Sequence, residues 1–95
     1  MIDPIDDHNR PRLAPGVRMQ MDTVSDRPVL LYAELVVQLN PTGAAVLELC
    51  DGQRSVQAIL AELAGKFQVD AQALRTDVIE YLERLRQRRL IELDP

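Results

Sequence analysis

The stretch "LNPTGAAVLELCDG", residues 39–52, decides the fold. Leu39 ends an apolar run. Asn40 is a good helix N-cap, because its side-chain oxygen can accept a backbone N–H of the first turn. Pro41 suits the first helical position, where no N–H donor is needed. Gly52 supplies a left-handed stop. Between these signals Val46, Leu47, Leu49 and Cys50 cover much of the helix and leave Glu48 as its clearest solvent-facing residue. A short helix so apolar must be covered by other elements.

Upstream, "VLLYAELVVQL" at 29–39 is too long for one strand in a small domain. Length splits it at Ala33–Glu34, into strands near 29–32 and 35–39, although the turn lacks the Gly or Asn that a tight hairpin prefers. Before it, "VRMQMD" at 17–22 alternates Val17, Met19 and Met21 against Arg18, Gln20 and Asp22, the pattern of a half-buried strand. Met19 and Met21 are expected in the core with Val17. "TVSDRP" between the two is a turn. The sum is a three-stranded antiparallel meander. Residues 1–15 hold three prolines and little periodicity, which predicts a flexible N-terminal arm ahead of a domain over 16–95.

Downstream, Ser55 caps a second helix with Val56, Ile59, Leu60, Leu63 and Phe67 on one face, ended by Gly65 and the stretch to Asp70. Asp70 caps the longest helix, about 71–89. Its apolar stripe is Leu74, Val78, Leu82 and Leu85, and Thr76, Glu80, Glu83 and Gln87 form the opposite face. "LIEL" at 90–93 closes over the core as a short extended tail. The fold class is α+β: a three-stranded antiparallel sheet followed by three helices.

The chain has 95 residues, enough for one core but hardly for a deep catalytic cleft as well. Its formal net charge of −4 argues against general nucleic-acid binding. Cys50 is the only cysteine, so there is no disulfide framework and no thiolate metal site. The first residues are acidic and Pro-bearing, unlike a signal peptide, and no apolar run is long enough to cross a membrane. The expected setting is the cytoplasm.

Catalytic chemistry finds few residues to use. The glycines are widely separated, so there is no phosphate loop, and the only histidine, His8, lies in the arm. Asp3, Asp6, Asp7 and His8 read as a solvated acidic tail rather than a metal site, because useful ligands need a fixed frame. Glu80 and Glu83 lie on a solvated helix face, and Cys50 reads as a buried small hydrophobe. The sequence points to a non-enzyme without metal or cofactor.

Two features remain. The strand Leu35, Val36, Val37, Gln38, Leu39 is apolar on both faces and carries neither Lys nor Pro. As the last strand of a meander it is an edge, which soluble proteins usually blunt. Either another part of the chain covers it, or another chain pairs with it; a strand-paired or arm-exchanged homodimer is one such outcome. The other feature is the arginines of the long helix. Arg75, Ile79 and Arg86 flank the apolar stripe beside Leu82 and are the expected wall of a groove for an acidic peptide. Tyr81, Arg84 and Arg88 line the opposite flank, and sequence does not choose which flank meets the edge strand. The competing reading of the arginines is charge complementing a helix C-terminus.

The ordered set "LLYAELVVQLNPTGAAVLELCDGQRSVQAI", followed by "DVIEYLERLRQRRLI", resembles the PqqD family over residues 16–92. The matching positions are the "LLY" strand, Leu39–Asn40, the "LCDG" stop, Ser55–Val56 and Ile59. The chain departs from the family at Ala33–Glu34–Leu35, where a Pro and a Gly are frequent. The resemblance implies a winged-helix-like peptide chaperone of pyrroloquinoline quinone (PQQ) biosynthesis, of the peptide-recognition-element type. It implies that the precursor peptide PqqA binds as an added strand between the third strand and the third helix. The peptide would then be presented to the radical S-adenosylmethionine enzyme PqqE, which cross-links its Glu and Tyr side chains. A winged-helix DNA-binding domain is the alternative. The long helix opposes it, because its first turns carry Asp70 and Asp77 against Arg75 alone, and no hairpin wing follows.

Overall fold

The computed structural model describes residues 3–94; Met1, Ile2 and Pro95, and with them the start of the expected arm, lie outside the described residues. A meander of β2 (Arg18–Asp22), β3 (Arg27–Tyr32) and β4 (Leu35–Gln38) forms one antiparallel sheet in the order β2-β3-β4. The helices α1 (Pro41–Glu48), α2 (Val56–Phe67) and α3 (Ala71–Gln87) follow. Two further strands, β1 (Arg10–Leu13) and β5 (Ile91–Asp94), pair antiparallel in a separate two-stranded sheet.

The helix starts are where the capping residues place them. Gly43 N–H donates to Asn40 Oδ1 at 2.6 Å, Ala58 N–H to Ser55 Oγ at 3.1 Å, and Gln72 N–H to Asp70 Oδ1 at 2.9 Å. Each bond satisfies one of the donors that a helix N-terminus leaves orphaned. The β3–β4 turn is the two residues Ala33 and Glu34, with Tyr32 opposite Leu35. Ala33 takes φ 53°, a left-handed value that glycine adopts without strain. Leu30, Ile59, Leu63, Leu82 and Leu90 are sealed at the centre of the core. Burying each such side chain is worth about 1.5–3 kcal/mol. The first helix packs between α2 and β3, and α3 lies on α2 and β5.

Over residues 3–15 the expected arm is a packed strap. Ile5, Pro11 and Ala14 are buried. Val56 N–H donates to Asn9 O at 2.8 Å and Gln57 N–H to Asp7 O at 3.0 Å, so strap carbonyls take two orphan donors of α2. Gly52 N–H donates to Pro11 O at 2.9 Å and Ala14 N–H to Leu90 O at 2.9 Å. Arg12 bridges Glu92 and Asp94 at 3.1 and 2.9 Å across the β1–β5 pair. The acids of the strap also have local partners: Asp6 Oδ1 accepts His8 N–H, and Asp7 pairs with Arg75.

Five smaller expectations are corrected. The first helix stops at Glu48, before Gly52, whose φ of 78° instead turns the following loop toward β1. Gly65 lies inside α2, which ends at Phe67 with Gln68 in the left-handed conformation. Phe67, the last residue of that helix, is exposed with Lys66 over its ring. Met21 is 55% exposed, because it sits near the tip of the β2–β3 hairpin, opposite Pro28 and beyond the cover of the helices. The long helix ends at Gln87 rather than 89, with Arg89 at φ 61°.

Candidate peptide-binding edge and cleft

Among the described residues nothing pairs with the outer edge of β4. Its inner side pairs with β3 in the register Leu30↔Val37 and Leu31↔Val36. Just past the strand, Leu39 N–H donates inward to Pro28 O at 3.0 Å. Inward and outward backbone groups alternate along an antiparallel strand. Residues 35 and 37 therefore also point their N–H toward β3, and Val36 and Gln38 point theirs to the open edge. Side chains alternate on the other axis. Leu35 and Val36 are 43% and 58% exposed, Val37 is half-buried on Leu30's face, Gln38 is exposed and Leu39 is buried.

Where β4 ends, Asn40 starts α1, and the helix N-terminus forms one wall of a cleft of about 180 Å³. Thr42, Gly43 and Val46 stand on that wall; Leu74, Asp77, Val78, Tyr81 and Arg84 of α3 form the other. The absence of a side chain at Gly43 lets the helices approach: a Cβ there would lie 2.6 Å from the Tyr81 hydroxyl. Burial raises the Tyr81 pKa above its ordinary value, so the phenol stays protonated at neutral pH, although nearby Arg84 opposes the shift. Cys50 beneath α1 is buried, donates to Val46 O at 3.3 Å and has its thiol pushed up to about 12 by burial, which leaves it inert.

The expected wall residues of α3 lie elsewhere. Arg75 faces the strap, with Nη2 2.7 Å and Nε 3.0 Å from Asp7 Oδ1. Arg86 lies on its own helix neighbour Glu83, Nη2 to Oε1 at 2.6 Å. That contact is an ion pair whose angle falls outside a hydrogen bond, so the buried Oε1 is charge-compensated but has no aligned donor. Ile79 is half-buried against the core, and Leu82 has no exposed surface. Leu82 is the centre of the stripe, so it supports the groove from beneath rather than lining it. None of these four lines the cleft beside Asn40. Sequence reasoning placed Tyr81 and Arg84 on the other flank of α3. It did not name Leu74 and Val78 as cleft residues because both belong to the apolar stripe.

The pairing of Arg75 with Asp7 also bears on nucleic acid. The one cation in the first turns of α3 is already held by a carboxylate, between Asp70 and Asp77. Such a surface offers little to phosphate.

The family model described as Coenzyme PQQ synthesis protein D (PqqD) matches residues 28–91. A PqqA binding protein of Xanthomonas euvesicatoria pv. vesicatoria is 43% identical over 86 residues, which cover 90% of this chain and 94% of that protein. A PqqA binding protein of Methylococcus capsulatus is 45% identical over 71 residues, 75% of this chain and 74% of that one. Among solved structures, the PqqD truncation of Methylobacterium extorquens PqqCD superposes with a TM-score of 0.75 at 35% identity, covering 86% of this chain and 87% of that one. That protein is described as a functional, stand-alone recognition element for ribosomally synthesized and post-translationally modified peptides. The crystal structure of PqqD from Xanthomonas campestris gives a TM-score of 0.57 at 42% identity, over 82% and 87% of the two chains.

Proposed function

The chain belongs to the PqqD family, and from that premise we propose that it is a non-catalytic peptide chaperone of PQQ biosynthesis that binds the precursor peptide PqqA. The peptide adds as a strand to the outer edge of β4, its side chains enter the cleft between α1 and α3, and the complex is presented to PqqE in the cytoplasm. The observation that carries the reading is the open edge itself: Val36 and Gln38 direct backbone groups outward, and two exposed apolar side chains lie beside them. Relatives at this level of identity are PqqA binding proteins, which supports the ligand.

Magnitudes show why an edge alone is insufficient. Two outward residues offer about four backbone hydrogen-bonding groups, each worth roughly 0.5–1.5 kcal/mol net. Association costs an estimated 4–15 kcal/mol in lost freedom. Edge pairing, about 2–6 kcal/mol in all, therefore offsets at best the lower end of the cost of docking, and stable binding needs the apolar lining of the cleft as well. Leu74, Val46 and Val78 supply it.

The test is an amide-shift titration with synthetic PqqA. Shifts at Val36, Gln38 and the cleft residues, with protection of the two outward amides from exchange, are expected. Saturable binding whose shifts avoid β4 would overturn strand addition, and absence of binding would overturn the ligand. Presentation is tested by adding PqqE to the preformed complex, where a ternary species on gel filtration is expected and mutual exclusion would refute it.

A further inference from the structure

We propose that Tyr81 and Arg84 form a carboxylate-reading pocket, which takes one acidic side chain of the bound peptide at the Arg84 end of the cleft. The inference rests on the peptide-binding reading above and adds which chemistry the cleft selects.

Among the described residues the Tyr81 hydroxyl has no hydrogen-bond partner, although it lines the cleft, where it packs against the part of α1 that Gly43 leaves bare. It is a protonated donor awaiting an acceptor. Arg84 lines the same cleft, and its guanidinium carbon lies 5.8 Å from the centre of the Tyr81 ring, so the two side chains border one space. It forms no ion pair within the described residues, in contrast to Arg75 and Arg86 on the same helix. Two adjacent donors without an acceptor of their own suit a ligand that brings only acceptors, which is an ionised carboxylate.

The other end of the cleft is acidic. Asp77 lines it two turns before Arg84, about 10 Å along the helix axis. A carboxylate is repelled there and attracted at Arg84, so charge fixes the position of the ligand's acid along the groove. One guanidinium facing one carboxylate of the same cleft is a poor match for a doubly charged phosphate. The chain passes from the end of β4 through Leu39 to Asn40 on the cleft wall, and this short offset between the open-edged strand and the cleft points to a peptide rather than a small anion.

The experiment measures binding of synthetic PqqA at low and high salt to the parent, Arg84→Gln and Tyr81→Phe, and to Arg75→Gln for comparison. Each acidic residue of the peptide is changed in turn to its amide. Arg84→Gln should weaken the parent peptide about five-fold at low salt, the size of an exposed ion pair, and Tyr81→Phe about three-fold. One amide peptide should bind weakly to the parent and lose nothing further with Arg84→Gln. The Arg84→Gln loss should shrink at high salt and the Tyr81→Phe loss should not. Arg84 is exposed, so its replacement leaves the fold intact, which a thermal melt verifies. Binding by Arg84→Gln within two-fold of the parent, or losses independent of every amide change, would overturn the pocket while leaving the peptide-binding reading standing. A parent that binds no peptide overturns both.

Discussion

Proline at the β4 edge separates backbone recognition from side-chain recognition, and the register says where to put it. Leu39 N–H bonds inward to Pro28, so Val37 N–H faces Leu30 and Val36 N–H faces the open edge. Val36→Pro deletes an outward donor and no ladder bond, at a residue 58% exposed on an edge strand, where proline is tolerated. Its fold should be near normal. Its affinity for PqqA should fall about tenfold, because a lost hydrogen bond of roughly 1–1.5 kcal/mol is close to the 1.4 kcal/mol that a factor of ten requires. Val37→Pro instead removes the bond to Leu30, strands a carbonyl beside a fully buried side chain and costs at least about 1–3 kcal/mol of folding stability. Urea denaturation measures the folding arm and fluorescence anisotropy with labelled peptide measures the binding arm. Val36→Thr and Val37→Thr keep every backbone group and should bind like the parent. A folded Val36→Pro variant that binds the peptide at parental affinity refutes strand addition, and equal stability of the two proline variants refutes the register.

Two further outcomes are expected. Ile5→Ala should destabilise the domain by about 2–5 kcal/mol, the cost of truncating a buried side chain, as read by urea denaturation; a change below about 0.5 kcal/mol would mean the strap is not docked in solution. The Cys50 thiol, held up to about 12 when folded against 9.0 when unfolded, stays protonated in the native state while the unfolded chain ionises. Stability should therefore decline as pH rises from 9 toward 12, and Cys50→Ala should flatten that limb relative to the parent. Identical limbs in the two proteins would count against deep burial of the thiol.

The helix starts were legible because capping is local: Asn40, Ser55 and Asp70 each meet an N–H two or three residues onward. The meander was legible from alternation and length, even though its turn uses Ala33 at a conformation that glycine normally supplies. The strap was not. Residues 10–13 pair with 91–94 across nearly the whole chain, and a non-local ladder leaves no periodic mark on a four-residue strand that includes a proline. Pro11 fits because the Ala14–Leu90 bond fixes the phase of the ladder so that residue 11 faces Leu93 at a non-bonded pair, where no N–H is owed to β5; its carbonyl turns to the other side and accepts Gly52 N–H. Missing the strap also hid the partner of one expected site residue. With Asp7 out of view, Arg75 read as an available cation on the groove flank, whereas the docked strap claims it. The choice between Val36 and Val37 was equally hidden, since the phase of a ladder depends on its partner and not on the strand alone.

In the proposed complex, the division of labour between edge and cleft follows from what each can sense. Backbone groups on an added strand are the same for every residue except proline, so β4 can fix register and direction but cannot tell one peptide from another. Selectivity has to come from side chains, and the cleft offers three kinds of site within a short length of α3: apolar lining at Leu74 and Val78, an acid at Asp77, and paired donors at Tyr81 and Arg84. For these to read a sequence, the cleft must keep a fixed offset from the strand. Asn40 achieves that. It follows the last β4 contact at Leu39 by one residue, caps α1 through its side chain and lies on the cleft wall. The buried face of α1, from Gly43 to Leu47, then locks that wall to the core. A rigid offset lowers the ordering cost of binding, because the protein has nothing left to arrange when the peptide arrives. Asn40→Ala should accordingly weaken both ends of this coupling, with loss of the cap, about 0.5–2 kcal/mol in stability, accompanied by a blunted distinction between parent and amide peptides. Loss of stability with the distinction unchanged would show that the cleft keeps its place without the cap, and that the fixed offset is set by Gly43 and Tyr81 instead.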